Sequence, residues 1–125
     1  MSAADWLAER RRIEQAATDG PWVREWSTPD QWWIIHGQPN PAKGDDRMVC
    51  PEVATLNHRE DWTADAEFIA DARTSAPKMR RALEAVLALH WGEPYAQGPD
   101  YCAECEHLWP CGTYSAITEA LGVEP

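Results

Sequence analysis

No run of apolar residues in this sequence approaches the roughly 20 needed to cross a bilayer, so no membrane-spanning helix is expected. Lysine and arginine are missing from Trp91 to Pro125, where six acidic residues stand: Glu93, Asp100, Glu104, Glu106, Glu119 and Glu124. The whole chain carries a formal net charge of −10. A surface of that sign is poorly suited to neutralising phosphates, which disfavours nucleic acid as a partner. Such a surface ordinarily serves solubility, and a basic protein partner is the rarer functional use.

Catalytic signatures are also missing. There is no glycine-rich phosphate loop, H-E-x-x-H, G-x-S-x-G or kinase-like motif. The acidic pairs Asp45-Asp46 and Glu60-Asp61 fall in expected loops, where solvated turns are the ordinary use. His36 and His58 lie near expected strand ends with no carboxylate or nucleophile at a fixed spacing. The opening Met1-Ser2-Ala3-Ala4-Asp5 does not lead into an apolar signal segment, so a cytoplasmic chain with reduced thiols is expected.

What is present concentrates near the end, in Tyr101 to Thr113, Y-C-A-E-C-E-H-L-W-P-C-G-T. Cys102 and Cys105 make a C-x2-C pair, Cys111 follows after five residues, and His90 closes a helical run upstream. Two cysteines at that spacing can turn both sulfurs toward one ion, and Zn²⁺ takes four thiolate or imidazole ligands in a tetrahedron. The spacing therefore predicts a structural zinc site of His90, Cys102, Cys105 and Cys111, with His107 as the alternative to His90. His90 is preferred because a ligand from a separate element gives the metal something to hold together. A disulfide or a pair of redox-active thiols competes with this reading. The first is disfavoured by compartment, and the second by the Pro- and Gly-containing loop from Glu93 to Asp100, where a thioredoxin-like motif follows a buried strand. His90 as a helix C-terminal cation and His107 as a solvated side chain are the plain alternatives. Cys50, followed by Pro51, is expected as a small buried apolar residue.

Eight tryptophans in 125 residues pose a choice between core and surface. Trp6, Trp22, Trp62 and Trp109 fall at element ends, which suits packing. Trp26, Trp32 and Trp33 cluster around a polar turn and form the candidate binding surface, since Trp is enriched at interaction hot spots.

In chain order, Ser2 to Ala17 is expected to be a helix with Trp6, Leu7, Ile13 and Ala17 inward. The triplet Arg10 to Arg12 reads as a solvated face with Glu9 and Glu14 as partners. Trp22 to Glu25 and Gln31 to His36 should pair as a hairpin across Ser27-Thr28-Pro29-Asp30. Gly37 to Asp46 is an expected loop, and Met48 to Leu56 an expected third strand, at an edge or bulge because of Pro51. Thr63 should cap a helix with Ala66, Phe68, Ile69 and Ala72 apolar. Thr74 to Pro77 should break it, and a second helix from Ala76 to Leu89 should turn Met79, Leu83, Val86 and Leu87 inward and Lys78, Arg80, Arg81 and Glu84 outward. Thr113 should cap a last helix, Tyr114 to Leu121, ended by Gly122. The expected fold class is α+β: an N-terminal helix, a small antiparallel sheet of three strands, a helical pair, and a C-terminal zinc knuckle at 90–111 with a short helix, all in a single domain spanning 1–125.

Four segments together resemble small uncharacterised proteins encoded by actinobacterial phages and prophages. They are A-A-T-D-G-P-W (Ala16 to Trp22), W-T-A-D-A-E-F-I-A-D-A-R (Trp62 to Arg73), A-L-E-A-V-L-A-L-H (Ala82 to His90) and C-A-E-C…W-P-C-G-T-Y-S-A-I-T-E-A-L-G (Cys102 to Gly122). The resemblance covers both ends and the middle helices, and the region from Trp26 to Asn57 is expected to vary. It implies the ligand set His90, Cys102, Cys105 and Cys111, and an architecture rather than an activity. Gly112 departs from the proline such relatives often carry after the last cysteine, which loosens the cap of the last helix without touching a ligand. The leading expectation is a non-enzymatic accessory protein binding a host or phage protein in the bacterial cytoplasm. A small-ligand, nucleotide-like binder using the tryptophan surface with Arg24 or Arg47 is the alternative. A zinc hydrolase is less favoured, because three thiolates and an imidazole close the shell.

Overall fold

The computed structural model describes residues 1–56 and 62–125. His58, Glu60, Asp61 and the Trp62 side chain, named above, lie outside the described residues. The elements are α1 (Ala3–Ala16), β1 (Asp19–Ser27), β2 (Trp32–Gln38), a 3-10 turn (Pro41–Lys43), β3 (Glu52–Leu56), α2 (Trp62–Leu89), β4 (Gly92–Glu93), β5 (Tyr101–Cys102) and α3 (Gly112–Leu121). Helices and two antiparallel sheets, of three and two strands, make this an α+β chain. It has two compact units, Ile13–Lys78 in one and Met1–Arg12 with Met79–Pro125 in the other.

In the unit Ile13–Lys78, aromatic and β-branched residues build the expected hairpin. β1 pairs with β2 in the register Trp26↔Trp33 and Arg24↔Ile35. The connecting turn is held by Gln31 N–H donating to the Ser27 carbonyl at 2.7 Å and by the Ser27 hydroxyl donating to Asp30 at 2.8 Å. β3 pairs with β2 at the sheet edge, with a register shift between Ile35 and His36. Pro51 lies just before that strand, and its carbonyl accepts from Gly37 N–H, so a residue without an N–H is accommodated where no ladder bond is lost. Ile35 and Ala66 are fully buried. The loop after β2 is tied back by Lys43, whose ammonium donates to the Gln15 and Ala17 carbonyls at 2.8 Å and to Asp19 at 2.7 Å. The hydrogen bonds from Lys43, then from Asn40, hold the Asp19 carboxyl below its ordinary value. Asp45 and Asp46 accept from the backbone N–H groups of Asn40 and Met48, the turn role expected of them.

The expected break at Pro77 does not occur. α2 runs as one helix of 28 residues with Pro77 inside it. Proline removes one intrahelical hydrogen bond, but the flanking residues, rich in Ala, Leu, Glu and Arg, favour helix strongly enough to carry it. Thr63 accordingly lies within the first turn instead of capping it. Several side chains also face differently from expectation: Phe68 is 76% exposed and Met79 64%. Arg80 instead is drawn in, its side chain only 10% exposed in a 2.8 Å ion pair with Glu84. Cys50 is exposed, not buried, because β3 starts only at Glu52.

In the other unit, Ala3 and Leu7 are buried while Trp6 is half-buried beneath the Arg10 guanidinium, 5.2 Å from its ring. Arg12 pairs with Glu9 at 2.7 Å, as expected, and Arg11 with Glu84 at 2.8 Å. α3 begins one residue beyond Cys111, which occupies the capping position with no side-chain cap; Thr113 is already helical. Gly122 ends the helix in the left-handed region at φ 67°, its N–H reaching the Glu119 and Thr118 carbonyls. Pro77→Ala should restore the missing helical hydrogen bond and raise unfolding free energy by about 1–2 kcal/mol, read as a higher denaturation midpoint at unchanged m-value; a lower midpoint would show that the proline is needed there.

Candidate metal centre

Each proposed ligand is placed by a different piece of local structure. His90 stands at the last turn of α2, its N–H bonded to the Val86 carbonyl at 3.2 Å. The chain then forms β4, whose Gly92 pairs with Cys102 of β5. Ala103 N–H donates to the Trp91 carbonyl at 3.0 Å, locking the residue after His90 to the knuckle. Within the knuckle Cys102 N–H donates to the His107 carbonyl at 2.7 Å and Glu106 N–H to the Cys102 carbonyl at 2.9 Å. Cys111 arrives from the other side, at the start of α3, with Ser115 N–H on its carbonyl at 2.9 Å.

The result is a convergence of four donor atoms, one each from His90, Cys102, Cys105 and Cys111, all within 4.8 Å of one another. His90 Nδ1 lies 3.4 Å from both the Cys102 and Cys111 sulfurs. A tetrahedral ion with metal–sulfur bonds of about 2.3 Å and metal–nitrogen bonds of about 2.0 Å sets an N···S edge of about 3.5 Å, so the donors stand at ligand spacing. Cys102 and Cys111 are buried, and all the cysteines are unpaired thiols rather than disulfides.

The electrostatics favour a thiolate here. Burial pushes the Cys102 thiol up, but backbone N–H groups of Cys105 and Glu104, the His90 ring and the Cys105 thiol together outweigh it and bring Cys102 down to about 6. At Cys105 the His107 backbone N–H lowers the thiol, while burial and the neighbouring sulfurs of Cys102 and Cys111 raise it by more. One sulfur thus carries charge readily and the next resists a second charge until a cation arrives. Three sulfurs and an imidazole suit the softer divalent ions, zinc among them, and not the oxygen-seeking Mg²⁺ or Ca²⁺.

His107 is not part of this group. Its Nδ1 is held 2.8 Å from the Cys105 carbonyl and the side chain is exposed. The short reach from Cys105 to His107 lets the ring close onto its own loop. Trp109 has a structural part that the sequence motif only hints at. Its indole lies on Gly92, where an added Cβ would stand 2.8 Å from Cδ1 and 2.9 Å from Cγ, and its ring centroid is 4.4 Å from that of Tyr114.

Of the tryptophan cluster, Trp26 and Trp33 meet edge to face at 5.3 Å, with Arg24 5.1 Å above the Trp33 ring. Trp33 Nε1 donates to the Thr63 hydroxyl at 3.2 Å. Trp32, adjacent in sequence, points to the opposite face, as strand alternation requires. His36 does have a carboxylate neighbour after all: Nε2 lies 3.2 Å from Glu25, while Nδ1 is buried without a hydrogen-bond partner among the described residues. The signal was the β1–β2 register, which sequence spacing does not contain.

Comparisons with family models, curated proteins and solved structures return no match. His107→Ala should leave a single tightly bound ion per chain by elemental analysis, whereas His90→Ala should weaken binding by at least on the order of 100-fold, more than the loss of an outer-shell partner. Gly92→Ala should displace the Trp109 ring and cost about 1–3 kcal/mol by overpacking, measured by thermal unfolding of the metal-loaded protein.

Proposed function

We propose that the protein is a non-enzymatic accessory protein of the phage type that binds a host or phage protein, and that a structural Zn²⁺ at His90, Cys102, Cys105 and Cys111 holds its C-terminal region together. The observation that carries this reading is the donor set: three sulfurs and one ring nitrogen within 4.8 Å of one another are enough to fill every position of a tetrahedron. A catalytic zinc needs a position left for water and an adjacent general base. Three thiolates also leave the complex with a net charge of about −1, which weakens the ion as a Lewis acid. The likeness of the helix-histidine, C-x2-C and W-P-C segments to small phage-encoded proteins points the same way.

A nucleotide-like ligand stacked on the tryptophans is less well supported. Trp32 faces away from Trp26 and Trp33, and Arg24 already lies against Trp33 and within 3.4 Å of the Thr63 carbonyl. Removal of metal by a chelator should lower the melting temperature by roughly 10 °C or more, with zinc restoring it. Affinity capture from bacterial lysate should recover a stoichiometric protein partner with the zinc-loaded chain and not with the Cys111→Ser variant. Capture of no partner, or quenching of tryptophan fluorescence by nucleotides, would count against this function.

A further inference from the structure

The loop between β4 and β5, with the tip of the knuckle, encloses an open groove of about 490 Å³ lined by Tyr95, Pro99, Tyr101, Glu106 and Leu108. The Tyr95 and Tyr101 rings stand nearly perpendicular, 76° apart with centroids at 6.1 Å, and so form two walls of a corner. Large apolar surface is left open there: Leu108 is 68% exposed and Tyr95 53%. Among the described residues, the only charged side chain lining the groove is the carboxylate of Glu106. Glu93 is the register partner of Tyr101 across the small sheet.

Glu106 itself is an outlier. It takes φ 59°, in the left-handed region, where a non-glycine residue is strained and glycine is the unstrained choice. A charged residue sits where the fold alone would prefer glycine, and its side chain faces the groove. Strain of this kind is a pointer to function when the side chain has something to do.

Aromatic faces are negative at their centres and attract cations, while Pro99 and Leu108 offer apolar walls for a methylene stem. An anion would meet Glu106 in a stretch, 91–125, that has no lysine or arginine. A neutral apolar group would strip water from that carboxylate without replacing it. We propose that this groove binds a cationic side chain, arginine or lysine, presented by the partner protein. The inference rests on the partner-binding reading above and names the chemistry by which the partner is gripped.

The test uses the zinc-loaded protein and three capped single residues as probes: N-acetyl arginine methylamide, N-acetyl lysine methylamide and N-acetyl glutamate methylamide. Nuclear magnetic resonance titration should show saturable shifts at Tyr95, Tyr101 and Leu108 with the arginine or lysine probe, weakened by added salt, and none with the glutamate probe. Glu106→Gly should keep or raise the melting temperature while weakening the cationic probe roughly fivefold, and Tyr95→Ala should weaken it without loss of metal. Equal shifts with all the probes, or undiminished binding to folded Glu106→Gly, would overturn the proposal. Equal capture of one partner by wild type and Glu106→Gly would overturn it too while leaving partner binding intact. Capture by neither, with the cationic probes still bound to wild type, would overturn partner binding and keep the groove as a site for a cationic group.

Discussion

The unit formed by Met1–Arg12 and Met79–Pro125 depends on one constraint: four donor atoms from a helix end, a tight loop and a helix start must meet at one point. Among the described residues, its buried side chains are Ala3, Leu7, Cys102, Cys111 and Thr118. A buried leucine contributes about 1.5–3 kcal/mol, against an ordering cost of about 1–2 kcal/mol for every residue fixed. The half-buried Leu83, Leu87, Trp109 and Tyr114 add to this but do not change its character. Two of the most buried side chains are the candidate ligands themselves. Thiols occupy the place that a larger hydrophobic cluster would fill in a metal-free fold, and an ion linking them would join segments that burial alone holds loosely.

The same constraint orders the backbone around it. The N–H groups of Glu104 and Cys105 turn toward the Cys102 sulfur, and that of His107 toward the Cys105 sulfur, so sulfur charge is met by local dipoles before any cation is considered. The turn that aims those N–H groups requires a left-handed residue, and the chain supplies Glu106. Trp109 closes over Gly92, the one residue type that leaves room for its ring beside the Cys102 strand. Ligand spacing, strained turn and indole packing are therefore parts of one arrangement, not independent features.

The convergence of His90, Cys102, Cys105 and Cys111 was legible in the sequence because C-x2-C is a local geometry and because His90 follows a helix whose end is readable from its own residues. The hairpin was legible for the same reason, since tryptophan, isoleucine and a polar turn act within a few residues. What was not legible depended on competition or register. Pro77 looked like a boundary, but the cost of one lost hydrogen bond is spread across a 28-residue helix of strong formers. Phe68 and Met79 fit an apolar stripe that the helix does not bury, whereas Arg80 is covered by its pairing with Glu84. Trp32 and Trp33 read as a single cluster until strand alternation sends them to opposite faces, and the Glu25–His36 pair exists only through the β1–β2 register.

Charge connects the interior of this region with its surface. An ion held by three thiolates would stay slightly negative, and the surrounding stretch from Trp91 to Pro125 adds six carboxylates without a compensating lysine or arginine. Scattered over a surface, such an excess would serve only solubility. Here part of it is gathered beside two tyrosine walls and an exposed leucine, on a turn fixed by backbone hydrogen bonds at 2.7 and 2.9 Å. A surface already held in place loses little freedom on binding, so more of its contact energy remains as affinity. Metal coordination would add to that order by immobilising the tip that carries Glu106 and Leu108.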